Sequence, residues 1–235
     1  MVRVYISPST QQANIGISPF GTEEAEMNKI ADALIPLLLK DGRFTIKRNS
    51  PTMELSQIAA DSNNFKADIH VAIHSNAGGG QGTEAYAYGP NTNSERLSKA
   101  LYNQIAPLSP GADRGVKYNP GLYEVGNSVN TTACLIELGF HDNQKDATWL
   151  ANNQQSIANA LYRGICGYFG YDYRSLVIAQ PVAPPVTPET IIQQVKGPIA
   201  PDDIYLSVRC LDNLADQAIK DINKLGFACQ RLELA

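Results

Sequence analysis

The order of elements along the first 174 residues predicts an α/β fold: a layered, mostly parallel sheet flanked by helices, with a small βαβ unit at the C-terminus. Three observations carry that expectation. Short β-branched runs alternate with longer segments of helical period. The segment TACLIELGF is too apolar to be anything but a strand covered on both faces. A marked change of composition after Tyr173 separates this region from a short strand-helix-strand tail.

VRVYIS is a β-branched opening strand that ends in the turn-forming PST. A polar loop leads to a helix starting near GTEEAEMN, whose acidic first turn suits the helix dipole. Its apolar residues keep helical spacing through IADALIPLLLKDG and stop at Gly42. FTIKR reads as a second strand and MELSQIAADSNNF as a helix. ADIHVAI is short, β-branched and closed by glycines, so it is a strand. EAYAYG is another strand, SERLSKALYNQIAPL a helix, TACLIELGF a buried strand, and one last helix runs roughly from Lys145 to Phe169.

Residues 175–202 form a proline-rich linker, with six prolines between Pro181 and Pro201. Residues 203–235 then spell strand, helix, strand in DIYLSVRC, LADQAIKDINKLG and FACQRLEL. One such unit buries too little to stand alone. Its exposed strand edges favour a homodimer, with a targeting role as the other option.

Composition excludes several classes. The formal net charge of -4 and the lack of a Lys/Arg cluster give no footprint for nucleic acid. No apolar run reaches the roughly 18 residues of a membrane span, so no membrane insertion is expected. The N-terminus MVRVYISPST has no charged leader followed by an apolar core. Four widely spaced cysteines, Cys134, Cys166, Cys210 and Cys229, read as buried thiols rather than a disulfide framework.

Two of the three histidines, His70 and His74, lie four residues apart. On a helix that spacing clamps one zinc ion. On a strand the two share a face but stand roughly 13 Å apart, at roughly 3.3 Å per residue. At most one of them is therefore a ligand, and His70 reads as hydrogen-bonded structure.

Zinc hydrolysis of an amide needs about three protein ligands, an open position for water and a carboxylate to take and return a proton. Two polar constellations lie at strand ends: HSNAGGGQGTE, and IELGFHDN with Glu137 inside its strand. A charge in such a strand costs several kcal/mol if buried alone. Glu137 is therefore paired, or sits at the C-terminal edge where α/β sheets build their sites. Glu84 is either a site carboxylate or a partner for buried groups. RGVKYNPGLYEV is either a solvated loop or a groove lining in which Arg114 or Lys117 meets a substrate carboxylate.

These residues resemble the zinc-dependent N-acetylmuramoyl-L-alanine amidases of cell-wall hydrolases and phage endolysins. The resemblance covers about residues 1–172 and rests on ADIHVAIHSNAGGGQGTEAY, RGVK, TTACLIELGFHDN and TEEAEMNKIADAL, with Arg48 after the second strand. It implies Zn2+ as cofactor and peptidoglycan as partner, cut between muramic acid and the first L-alanine of the stem peptide. It places zinc on His74 and on Glu23, with Glu24 the one-residue alternative. It makes Glu137 the acid/base.

The chain departs from the family at its first zinc ligand, a histidine after the opening strand. Here SPSTQQ stands instead, and no histidine precedes His70. Gln11, or Thr10, completes a weaker site, or His141 replaces the missing ligand, or the metal site has lapsed. The leading expectation is a wall hydrolase acting outside the cell, freed by lysis or a phage pore. The alternative is a lapsed enzyme that binds the wall without cutting it.

Overall fold

The computed structural model describes residues 1–173. The linker and the βαβ tail expected beyond them lie outside the described residues.

Six strands form one sheet in the order β2-β1-β3-β6-β4-β5. They are β1 (Val2–Pro8), β2 (Phe44–Arg48), β3 (Ile69–Asn76), β4 (Thr83–Ala87), β5 (Asp113–Tyr118) and β6 (Thr132–Phe140). All neighbours are parallel except β4 and β6, which run antiparallel. The helices are α1 (Glu23–Asp41), α2 (Leu55–Phe65), α3 (Asn93–Ile105), α4 (Gln144–Asn152) and α5 (Gln154–Tyr168). This is the layered, mostly parallel architecture that the sequence predicts.

Local chemistry sets the helix ends. The Thr22 side chain caps the first turn of α1 by accepting from the Ala25 amide, and Gly42 closes the helix in a left-handed conformation (φ 78°). Two expectations need correction. The single last helix is two, because the chain leaves helical geometry at Asn153 (φ -127°, ψ 23°). The RGVK segment, for which a solvated loop is one of two readings of the sequence, is edge strand β5, paired with β4.

Strand alternation gives the sheet two unlike faces. On one, Val4, Ile6, Val71, Ile73, Ala85, Cys134, Ile136 and Leu138 pack with α1, α3 and α5 into the main core. On the other, Tyr5, Ser7, His70, His74, Glu84 and Glu137 alternate with them. Here Ala72, Leu135, Val125 and Leu122 make a much smaller apolar cluster. Cys134 and Cys166 are buried and form no disulfide among the described residues. No helix among the described residues is long and apolar enough to cross a membrane.

Candidate active site

The polar face ends at the C-terminal edge of β3 and β6, where His74 stands opposite Glu137 in the parallel register. Glu23 reaches this edge because it opens α1. Its amide donates to the Asn14 carbonyl (2.8 Å), which ties the helix start to the loop after β1. Glu23 Oε1 lies 2.9 Å from His74 Nδ1, and Glu23 Oε2 accepts from Asn14 Nδ2 at 2.6 Å. Glu24 turns elsewhere and accepts from Asn28. Of the two candidates, Glu23 is the one beside His74.

Gln11 also converges here: its Nε2 is 3.4 Å from His74 Nδ1, and its Oε1 accepts from Asn14 Nδ2 at 2.8 Å. Asn14 uses its amide protons on Gln11 and Glu23 together, which turns the Gln11 NH2 toward the imidazole. Thr10 takes part in the turn through its carbonyl, which accepts from the Gln12 amide. His141 is not a third donor beside His74. Its Nδ1 pairs with Ser75 Oγ (2.9 Å) and its ring stacks on Phe20.

His70 has the structural setting expected of it. It is fully buried, stacks on Tyr5, and places Nδ1 3.0 Å from Ser62 Oγ. Its Nε2 donates to Glu124 Oε1 at 3.0 Å. Glu124 went unnoticed in the sequence, where it stands in LYEV within a glycine-flanked loop. An acid flanked by tyrosine and valine was the only signal of burial.

Burial penalises the charged form of every ionisable group at this edge, and partners then separate them. For His74, burial pushes down, but the Glu124 and Glu23 carboxylates reverse this and hold the imidazole at about 10. Glu23 is lowered despite its burial, by His74 and Asn14. Glu124 is likewise held well below the usual carboxylate range, by His70 and His74. Glu137 moves the other way, to about 7, because burial and the charges of Glu23 and Glu84 outweigh His74. Its Oε2 is buried with no hydrogen-bond partner among the described residues. A carboxyl group poised near neutrality, with an unused oxygen, suits proton transfer in both directions.

Glu84 faces Glu137 across β4 and β6. It is a partner for neighbouring cations: Oε2 accepts from Arg114 Nε and Lys117 Nζ, each at 2.5 Å, and Oε1 accepts from Asn76 and Tyr86. The loop after β3 is fixed from the HDN segment, where Asp142 Oδ2 accepts from the amides of Gly78 (2.7 Å) and Gly79 (2.8 Å). Both glycines have positive φ, 113° and 75°, which a side chain would strain.

The donor set around His74 Nδ1 tests whether zinc fits. One imidazole nitrogen and one carboxylate oxygen converge there, both ordinary zinc ligands. Gln11 supplies an oxygen only with its amide turned over, which breaks its bond from Asn14. No cluster of three His, Cys, Asp or Glu side chains suited to a metal occurs among the described residues. Glu23 and His74 are thus two groups of the kind zinc takes, and Gln11 stands beside them with its NH2 rather than its oxygen toward the imidazole.

An α/β sheet that gathers an imidazole and four carboxylates at one strand edge, one of them near neutrality, suits hydrolytic proton transfer. The chain belongs to the N-acetylmuramoyl-L-alanine amidase family, whose model matches residues 4–167. It is 30% identical over 177 residues to the N-acetylmuramoyl-L-alanine amidase CwlM of Bacillus licheniformis, covering 72% of this chain and 69% of that one. Among solved structures, the catalytic domain of the amidase CwlV from Paenibacillus polymyxa superposes with a TM-score of 0.66 at 23% identity, over 73% of this chain and all of that one. An N-acetylmuramoyl-L-alanine amidase from Clostridium difficile 630 gives 0.62 at 25% identity, over 73% and 98%. Members of this family are in general zinc-dependent, and this chain is an N-acetylmuramoyl-L-alanine amidase, a peptidoglycan hydrolase.

Proposed function

We propose that this chain cleaves the bond between the lactyl group of N-acetylmuramic acid and L-alanine of the stem peptide, using Glu137 as the acid/base. The observation that supports this most is the pairing of His74 with Glu137 across β3 and β6. A ligand-type imidazole and a carboxyl group at about 7 stand side by side at the open edge.

His74 Nδ1 and Glu23 Oε1 would hold zinc, with Gln11 as the weak third group. The ion supplies polarisation of the scissile carbonyl and acidification of water when bound. Glu137 takes a proton from the attacking water through its unpartnered Oε2 and returns it to the departing L-alanine nitrogen. The two positive-φ glycines at 78 and 79 keep the floor of the edge free of side chains, so a glycan-linked peptide can approach the backbone. Arg114 and Lys117 share the single carboxylate of Glu84, which leaves one positive charge unneutralised beside the groove for a stem-peptide carboxylate. The site of action is the cell wall.

The test is digestion of purified peptidoglycan, with and without chelator, following new L-alanine amino termini. Release that stops with chelator and returns with zinc supports the reading in full. Release that ignores chelator removes zinc from it. No release from folded, zinc-supplied protein overturns it and leaves wall binding without cutting.

A further inference from the structure

Glu124 joins both histidines of β3. Its side chain is buried, and Oε1 accepts from Ser7 Oγ and from His70 Nε2 (3.0 Å). That leaves Oε2, which lies 3.5 Å from His74 Nε2. This ring nitrogen is itself buried and makes no hydrogen bond among the described residues. A buried N–H left unpaired is costly, and an approach of a few tenths of an ångström to Oε2 satisfies it.

The carboxylate is built into place. Val125 and Leu122, on either side of it, pack with Ala72 and Leu135 on the sheet. The loop folds on itself through Val125 and Gly126 amides donating to the Leu122 carbonyl (3.1 and 2.7 Å). A Cβ at Gly126 would stand 2.3 Å from the Pro120 carbonyl oxygen, so the turn needs glycine. On the far side, Ser62 of α2 holds the outer nitrogen of His70. The chain of contacts runs from Ser62 to His70, to Glu124, to His74, to Glu23.

We infer that Glu124 is a positioning residue: held by Ser7 and His70, it fixes the ring of His74 so that Nε2 faces Glu124 and Nδ1 faces Glu23 and Gln11. A carboxylate behind a ligating imidazole sets its tautomer and orientation and raises its basicity. In this chain it acts on the one imidazole of a set whose third member, Gln11, is weak. The inference rests on the amidase reading only for the use to which His74 is put.

Glu124→Gln keeps shape and removes charge, so it is the first variant, with Glu124→Asp as the charge-retaining control. The first readout is zinc affinity by chelator competition, for which the expected loss is roughly 10- to 100-fold in Glu124→Gln, partly recovered in Glu124→Asp. The second is the set of imidazole nitrogen signals of metal-free protein by NMR, simple to assign with three histidines in the chain. In the native protein, Nε2 of His74 is expected to hold a slowly exchanging proton, and Glu124→Gln to move and broaden that signal. Unchanged zinc affinity together with unchanged His74 signals in folded Glu124→Gln overturns the inference. If that variant does not fold, native protein decides: an Nε2 of His74 without a proton overturns it equally. Neither readout needs wall hydrolysis, so failure of the amidase reading would show separately, as an absence of L-alanine ends from native protein.

Discussion

The two faces of the sheet are made by alternate residues of the same strands, yet they do opposite work. On β3, Val71 and Ile73 enter a large core against α1, α3 and α5, while His70 and His74 one residue away enter a network of buried acids. β6 divides the same way, with Ile136 in the core and Glu137 at the open edge. Stability is gathered on one face. The other can then hold charges in an arrangement that a free-standing sheet could not tolerate, since burying each carboxylate costs several kcal/mol without its partner.

The comparison breaks if a substitution on one face has the effect expected of the other. The largest effect is expected on the polar face. Glu137→Gln should lower the rate of wall hydrolysis roughly 100- to 10,000-fold, about 3–6 kcal/mol of barrier, while melting at or above the native temperature. L-alanine release and a thermal melt check this together. Ile136→Ala, the adjacent residue, should do the reverse. It should cost about 2–5 kcal/mol of stability in a denaturant titration and leave the rate of the folded fraction nearly unchanged.

A pH series sharpens the contrast. The Glu137 carboxyl is raised in the folded protein to about 7, so folding favours its protonated form. That contribution is complete below the unfolded value near 4.5 and is lost as pH rises through about 7. Chelator-treated Glu137→Gln should therefore gain on native protein across that window, by up to about 3 kcal/mol. An equal pH dependence in both would show that Glu137 is not held in the protonated form. The smallest effect is expected at Gln11. Gln11→His should tighten zinc on the order of tenfold, about 1.4 kcal/mol, in the same chelator competition. A weaker site would mean that position 11 does not face the metal.

Much of this division was legible in the sequence because it is written in short-range pattern. Alternation in ADIHVAI placed His70 and His74 on one face and ruled out a shared zinc, and the structure puts a carboxylate between them instead. The family resemblance, with the spacing back from Gly42, pointed to Glu23 or Glu24 at the start of α1, and the structure puts Glu23 beside His74. What stayed hidden depends on long-range contact. Glu124 lies 117 residues from Ser7 and 54 from His70, and nothing local marks it as their partner. β5 escaped because an edge strand of Asp, Arg, Gly and Lys lacks the apolar alternation that marks a strand; β4 makes it one. The break at Asn153 was missed because apolar spacing continues on both sides of it. His141 was a candidate from proximity along the chain alone, and its ring is taken by Ser75 and Phe20.

The strand order has a consequence for how the protein comes into being. β6 is the last strand in sequence but lies between β3 and β4. Until residues 132–140 have been synthesised and inserted, β3 has no neighbour on that side, and Glu137 is not opposite His74. Contacts of such sequence separation form late and slowly in folding. Core closure and the pairing of His74 with Glu137 are thus one event, and a nascent or truncated chain that stops short of Phe140 lacks both.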